Sequence, residues 1–246
     1  MAKILDGKAT AAAIRLEVAS NVTSIKNKYN ITPGLAAVLV GDDPASAIYV
    51  RNKGRACDEV GIFNQTFQFP ADISQEQLLS VIHDLNGDNV FNGILMQLPL
   101  PKHIDESAVL WAIDPNKDVD CLHPSNVGRL IQGTTNFLPA TPGGVQQLLL
   151  RNGFSPDGKH VTICGRSTIV GKPLAILLMQ KQHGANATVT ICHTGTKNID
   201  ELTKQADILV AAMGRPKTIT ADMVKEGAVV IDVGINRVDD PSRKSG

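Results

Sequence analysis

Tyr49 and Lys53 stand four residues apart in the stretch Asp42 to Gly61, so on a helix their side chains share one face, a turn from each other. A phenol beside an amine is a chemically capable pair. An amine held in a partly apolar pocket gives up its proton more readily and exchanges it near neutral pH. A tyrosine ring can orient it and stack on a flat substrate. Gln97, with two donors and an acceptor, suits bonding both that amine and a substrate. The run from Asp114 to Asp120 packs three acids and a lysine into seven residues, and a carboxylate from it suits the N–H groups of a guanidine-like edge. Each of these also has a plain structural reading: a solvated lysine, a half-buried tyrosine, a glutamine that satisfies loop backbone, a solvated acidic loop.

The elements that position them are written in the chain. Asp43 suits an N-cap, Pro44 the first helical position and Gly61 the residue just past the end, with Ala47, Ile48, Ala56 and Val60 facing a core. Ile14, Val18, Val22 and Ile25 recur at helical spacing and predict an amphipathic helix over 8–29. Leu35–Val40 is an unbroken apolar run, as expected of a strand buried on both faces of a parallel sheet. Strands follow at 62–69 and 91–98, with a helix capped by Ser74 between them and a short helix at 107–113. In open α/β sheets ligands bind beyond the carboxyl ends of the strands, which places Gln97, Gly41, Tyr49 and Lys53 on one rim. A polar, glycine-containing stretch covers 123–132, and Pro139 to Gly144 punctuates the chain before a helix at 145–152. The expected division is 1–140 and 141–246.

The second part repeats the rhythm: strands at 160–164, 188–192, 207–212 and 228–233, and helices at 174–182, 199–205 and 221–225. Between the first strand and its helix lies Gly165-Arg166-Ser167-Thr168-Ile169-Val170-Gly171. Strand, glycine turn, helix is the nucleotide-binding unit, in which backbone approaches a pyrophosphate and the helix N-terminus presents N–H groups to it. An NAD site places an acid at the end of the second strand; here that end reads Cys192-His193-Thr194-Gly195. Arg166 with nearby hydroxyls suits a 2′-phosphate, so NADP is favoured over NAD. The plain alternative is a surface arginine and a satisfied core histidine. Short-chain dehydrogenases also use Tyr-x-x-x-Lys, but after their glycine turn. Here the pair precedes the turn by more than a hundred residues, which argues for a substrate domain first, a cofactor domain second, and chemistry in a cleft between them.

Composition narrows the field further. Forty-three per cent of the 246 residues are hydrophobic and 20% charged, with zero net charge, so nothing favours nucleic acid or an anionic membrane. Aromatics at 4% leave little for stacking single-stranded nucleic acid. No apolar run approaches membrane-spanning length, and the N-terminus resembles neither a signal nor a transit peptide. Cysteines 57, 121, 164 and 192 are too scattered for a structural zinc site and read as free thiols in a reducing cytosol, so no metal is expected.

Together these motifs resemble the bifunctional methylenetetrahydrofolate dehydrogenase/cyclohydrolase family over essentially the whole chain. The carriers are Gly41–Ser46 with Tyr49–Lys53, Gly93–Pro101, Lys117–Asp120, Asn126–Gly128, Pro139–Pro142, Gly165–Ser167 with Ile169–Pro173, and Val230–Asn236. The resemblance implies two α/β domains, the second Rossmann-like with a mainly parallel sheet. It implies NADP-linked oxidation of 5,10-methylenetetrahydrofolate, then hydrolysis of the methenyl cation to 10-formyltetrahydrofolate. That is cytoplasmic one-carbon metabolism, serving purine and amino-acid biosynthesis, in a homodimer with tetrahydrofolate derivatives as its ligands. By the same resemblance Lys53 handles protons in the hydrolysis and Tyr49 stacks near the aminobenzoate. Gln97 tunes Lys53, Asp120 holds the pterin edge, and Leu98 and Pro99 line the substrate. Gly165, Arg166, Ser167, Ile169, Val170, Gly171, His193 and Thr194 then fall to the cofactor, with Thr141 and Ile235 near the nicotinamide.

Two departures stand out. The family usually has Gly where this chain has Cys121, and a cysteine takes positive φ only at a cost, so the loop carrying Asp120 is expected to differ slightly. The chain also stops at Gly246, after Arg243-Lys244-Ser245, where the family continues with a further loop and helix, so an incomplete chain is expected. A monofunctional dehydrogenase and a non-catalytic NADP-binding relative are the alternatives. Retention of Tyr49, Lys53 and Gln97 argues against both.

Overall fold

The computed structural model describes residues 2–235; Asn236 and the ending at Arg243–Gly246 lie outside the described residues. The chain divides into two compact units, Met1–Leu138 and Pro139–Gly246.

In the first unit the apolar run at 35–40 becomes β1 (Gly34–Val40), buried along almost its whole length. It is the middle strand of a parallel sheet, flanked by β2 (Phe63–Phe69) and β3 (Gly93–Met96) in the order β2-β1-β3. A central strand has side chains packed on both faces, which is why its sequence is continuously apolar and not alternating. One face packs Val38, Leu78, Ile82, Ile94 and Val109; the other packs Ala37, Leu39, Val50 and Leu95 with Val119. Helices α1 (Gly7–Tyr29), α2 (Pro44–Val60) and α3 (Gln75–Gly87) surround the sheet, and the short α4 (Glu106–Trp111) and α5 (Pro124–Gln132) complete the unit.

The start and stop of α2 follow the sequence reading. The Asp43 carboxylate accepts the Ser46 N–H at 2.7 Å, Pro44 opens the helix, and Gly61 at φ 81° closes it in the left-handed region. The buried face is different from the expected one. Ser46, Val50, Cys57 and Val60 are buried, whereas Ala47 and Ile48 are exposed. The apolar residues of this helix fit two overlapping stripes, and the sheet selects the one carrying Val50 and Cys57. Lys53 lies on that inward stripe between them and is only half-exposed. In α1 the expected stripe is the inward one: Val22 is buried, Ile14 and Val18 are half-buried and Ile25 is 37% exposed, whereas Leu16, off that stripe, is 74% exposed. The polar stretch at 123–132 is the helix α5. It is capped by the His123 side chain, opened by Pro124 and closed by Gly133 at φ 72°.

Among the described residues the second unit carries four parallel strands, β4 (His160–Cys164), β5 (Thr188–Cys192), β6 (Ile208–Ala211) and β7 (Val229–Asp232), ordered β5-β4-β6-β7. Helix α6 (Ala140–Arg151) starts five residues before the expected 145. Pro142 sits in its first turn, where a missing N–H costs nothing, so the Pro-Gly-Gly run opens the helix instead of preceding it. Helix α7 (Gly171–Leu178) likewise starts at the glycine that was expected to lie in the turn, and α8 (Ile199–Thr203) follows β5. The expected helix at 221–225 is a single 3₁₀ turn, Ala221–Met223.

All four cysteines are free and buried. Cys164 and Cys192 face each other in register across β4 and β5. Burial pushes the Cys164 thiol up to about 12, with the neighbouring Cys192 adding to the effect, and burial raises the other three thiols as well.

Candidate active site

In the first unit the structure brings Lys53, Gln97 and Asp120 together from three separate elements. Lys53 rides the inward stripe of α2. Gln97 follows the last residue of β3 and is tied to the sheet by its N–H to Val38 O at 2.9 Å. The Lys53 ammonium reaches Gln97 Oε1 at 3.5 Å, the long end of hydrogen-bond range, while Gln97 Nε2 donates to Leu98 O at 2.7 Å. That second bond fixes which end of the amide faces the lysine. The Leu98–Pro99 peptide is cis, Leu98 packs at the edge of the core and Pro99 is exposed. Tyr49, one turn before Lys53, is 46% exposed, with its ring free to meet a ligand.

Asp120 arrives on a loop docked against β3. Ile94 N–H donates to Lys117 O at 2.7 Å, and Val119 packs over Gly93, where any β-carbon would run into it. Burial raises the Asp120 carboxyl above its ordinary value; the Lys53 charge opposes this and the Asp118 charge adds to it. The acidic run is therefore ordered, not solvated. Lys117 turns away from the site and caps the end of α3, donating to Leu85 O at 2.9 Å and Asp88 O at 2.7 Å. Cys121, expected to avoid positive φ, adopts φ 58° and is buried, its Sγ 3.8 Å from Thr135 Oγ1. Sequence reading passed over the pair Asp118 and Asn126, both almost wholly buried and bonded to each other at 2.9 Å. A polar pair inside a motif gives no periodic signal; only the packing shows that it is internal.

In the second unit the turns after β4 and β5 lie side by side. Gly165 N–H donates to Cys192 O at 2.8 Å. Gly165 has φ 143°, and a β-carbon there would strike Ala212 O; one on Gly171 would strike Gly165 O. This turn is a cradle of bare backbone, the form a pyrophosphate needs. The Ser167 hydroxyl accepts from Val170 N–H at 3.1 Å and Gly171 N–H at 3.3 Å, holding the entry to α7. Arg166 and Ile169 are exposed, and Val170 is half-buried. His193 is half-buried, its Nδ1 accepting from Gly195 N–H at 3.0 Å, and Thr194 is exposed beside it. Arg166, Ser167, His193 and Thr194 thus share the β4/β5 end of the sheet. Thr141 is exposed on the first turn of α6, and Ile235, 80% exposed, follows β7 at the opposite edge. A cavity of about 100 Å³ at the ends of β6 and β7, lined by Gly214, Arg215, Pro216, Asp232 and Gly234, was not anticipated.

Residues 5–120 match the family model of the tetrahydrofolate dehydrogenase/cyclohydrolase catalytic domain, and residues 139–246 match that of its NAD(P)-binding domain. The bifunctional protein FolD of Dehalococcoides mccartyi strain CBDB1 is 60% identical over 233 residues, 95% of this chain and 79% of that protein. The solved structure of the FolD dehydrogenase/cyclohydrolase of Campylobacter jejuni superposes with a TM-score of 0.92 at 44% identity, covering 96% of this chain and 83% of that one. The Trypanosoma brucei enzyme, solved with NADP cofactor and inhibitor, gives 0.90 at 38% identity, over 98% of this chain and 82% of its own. With both domain models matched in order and such identity along nearly its whole length, the chain belongs to the tetrahydrofolate dehydrogenase/cyclohydrolase family.

Proposed function

We propose that the chain is a bifunctional, NADP-dependent methylenetetrahydrofolate dehydrogenase and methenyltetrahydrofolate cyclohydrolase. The observation that carries it is the convergence of Lys53, Gln97 and Asp120 in the unit that matches the catalytic domain. Residues 1–140 take the folate and 141–246 the dinucleotide. Asp120 accepts from the amino and ring N–H edge of the pterin, and Tyr49 stacks on the flat part of the substrate beside Leu98 and Pro99. NADP⁺, when bound, accepts the hydride lost by the one-carbon bridge. Gly165, Ile169, Val170 and Gly171 would hold its pyrophosphate, Arg166 and Ser167 with His193 and Thr194 its 2′-phosphate, and Thr141 and Ile235 would serve the nicotinamide.

The hydrolysis needs a base. Water adds to the methenyl carbon, and its proton passes to the Lys53 amine. The C–N bond to the pterin ring nitrogen then opens as the new hydroxyl loses its proton to become the formyl C=O, that nitrogen takes up a proton in exchange, and the formyl group stays on the other nitrogen. The positive charge of the substrate disfavours a neighbouring ammonium, which makes the lysine a better base at the moment it is needed. Gln97 Oε1 holds the amine in place.

The test is a pair of spectrophotometric assays, methylenetetrahydrofolate with NADP⁺ and the methenyl compound alone. Lys53→Ala should lose hydrolysis by 10²-fold or more, the usual span for a positioned acid–base group; 10-formyl product at the wild-type rate would remove Lys53 from this role. Arg166→Ala should weaken NADP⁺ about tenfold or more while leaving NAD⁺ near its starting affinity, as expected for loss of a charge-assisted phosphate contact. Equal losses for both would discard the 2′-phosphate assignment.

The protein acts as a cytoplasmic homodimer in one-carbon metabolism. In support, β5 is an edge strand of five residues, Thr-Val-Thr-Ile-Cys, without charge or proline, and Ile191 on it is 38% exposed. Such edges pair with other chains unless blocked. No helix among the described residues is long and apolar enough to cross a membrane.

A further inference from the structure

Asp118 is 3% exposed and Asn126 2%, yet neither touches the Lys53–Gln97 pair through any bond described above. One oxygen of Asp118, Oδ2, accepts two hydrogen bonds: from His123 N–H at 2.8 Å and from Asn126 Nδ2 at 2.9 Å. Asn126 is itself held by donating to Pro115 O at 2.8 Å. The carboxylate therefore closes the loop over Val119–Leu122 on itself and anchors it to α5. Asp120 sits in the middle of that closed loop. Its own flanks are fixed by Val119 against Gly93 and by Cys121 in the left-handed region.

We propose that Asp118 is a positioning residue for the substrate-binding carboxylate of Asp120: it pins the loop that carries Asp120 and places a second negative charge beside it. This rests on the reading of Asp120 as the group that holds the pterin edge. Among the described residues, the charged groups whose fields reach Asp120 are Lys53 from α2 and Asp118 from its own loop; Lys117 is turned to the end of α3. Lys53 favours the ionised form that accepts the pterin N–H groups, and Asp118 works against it. Burial raises the Asp120 carboxyl most, Lys53 opposes it and Asp118 adds to it, so removing the Asp118 charge moves the pH at which substrate binding fails. A loop staple alone would need no charge, and the amide of an asparagine could serve there.

Asp118→Asn keeps the shape and leaves an oxygen for both donors, but removes the charge. The acid limb of the pH profile of kcat/KM should then move to lower pH, with KM near the wild-type value on the plateau. Asn126→Ala keeps the charge and removes the anchor; KM should rise about tenfold, the loss of a hydrogen bond to a charged group, with the limb in place. A limb unmoved in Asp118→Asn, or an unchanged KM in Asn126→Ala, overturns the proposal. Carboxyl ¹³C NMR titration adds a direct readout: Asp120 should titrate above the ordinary aspartate range in the unaltered protein and lower in Asp118→Asn; a value at or below that range in the unaltered protein, or an equal value in the two proteins, overturns the proposal. Asp120→Asn separates the two readings. If it leaves KM unchanged, the reading of Asp120 falls, while the difference in the Asp120 titration between the unaltered protein and Asp118→Asn still decides whether Asp118 raises its neighbour.

Discussion

Asp120 is an ionisable group the folded chain holds at a cost. Its carboxyl is raised above the unfolded value by burial and by Asp118, against the pull of Lys53. The folded state then binds a proton more tightly than the unfolded one, so ionisation of Asp120 destabilises the fold at neutral pH, and the penalty fades as pH falls through its raised value. Asp120→Asn should raise the melting temperature at pH 8, and the gain should shrink as the pH is lowered toward 4, while substrate binding is lost. Calorimetry at the two pH values checks this; a melting temperature that drops at pH 8 would mean the carboxylate stabilises the loop instead. At this scale the sequence was partly legible. Tyr49 and Lys53 declare themselves by spacing, and Gln97 by its place after a strand. The Asp118–Asn126 pair did not, because its burial is decided by how α5 packs. Nor was the left-handed Cys121 foreseen, because the docked loop over-determines its backbone against the local preference.

At the level of elements, the inward face of α2 matters most, since it sets which way Lys53 points. Val50 is 4% exposed and packs with Ala37, Leu39 and Leu95, whereas Ile48 is 47% exposed. Val50→Ala should therefore cost about 2 kcal/mol, a transfer term plus a small cavity. Ile48→Ala should stay within about 0.5 kcal/mol, as for an exposed site. Urea unfolding of both variants distinguishes this face from the one the periodicity suggested, on which Ile48 would be the costlier loss. Strands were the most legible elements. The stretches at 160–164 and 188–192 coincide with β4 and β5 residue for residue, because their β-branched Val, Thr and Ile residues suit a pleated sheet. Helix starts were less legible where proline and glycine occupy a first turn, as in α6 and α7, since the same residues also mark breaks. Helix α5 was missed because its buried side chains are only Asn126 and Leu130. Its signals were the His123 cap, Pro124 and Gly133.

For the whole molecule, the order of strands and helices was enough to read two α/β units, since the strand–helix rhythm restarts after the Pro139–Gly144 punctuation. The proposed assembly turns on an edge strand. If the homodimer forms by pairing the uncharged β5 strands, Ile191→Lys should convert a species of about twice 26.2 kDa into the monomer by light scattering. A dimer that survives the substitution would move the interface elsewhere. The buried thiols have a different consequence. Two lie in each unit, Cys57 and Cys121 in the first and Cys164 and Cys192 in the second, and burial leaves each a poor nucleophile while the chain is folded. An alkylating reagent reaches them only when the surrounding structure opens. The chain thus carries two internal clocks: the rate at which each pair is labelled, read by mass spectrometry, times the opening of one unit independently of the other, with no probe added to either.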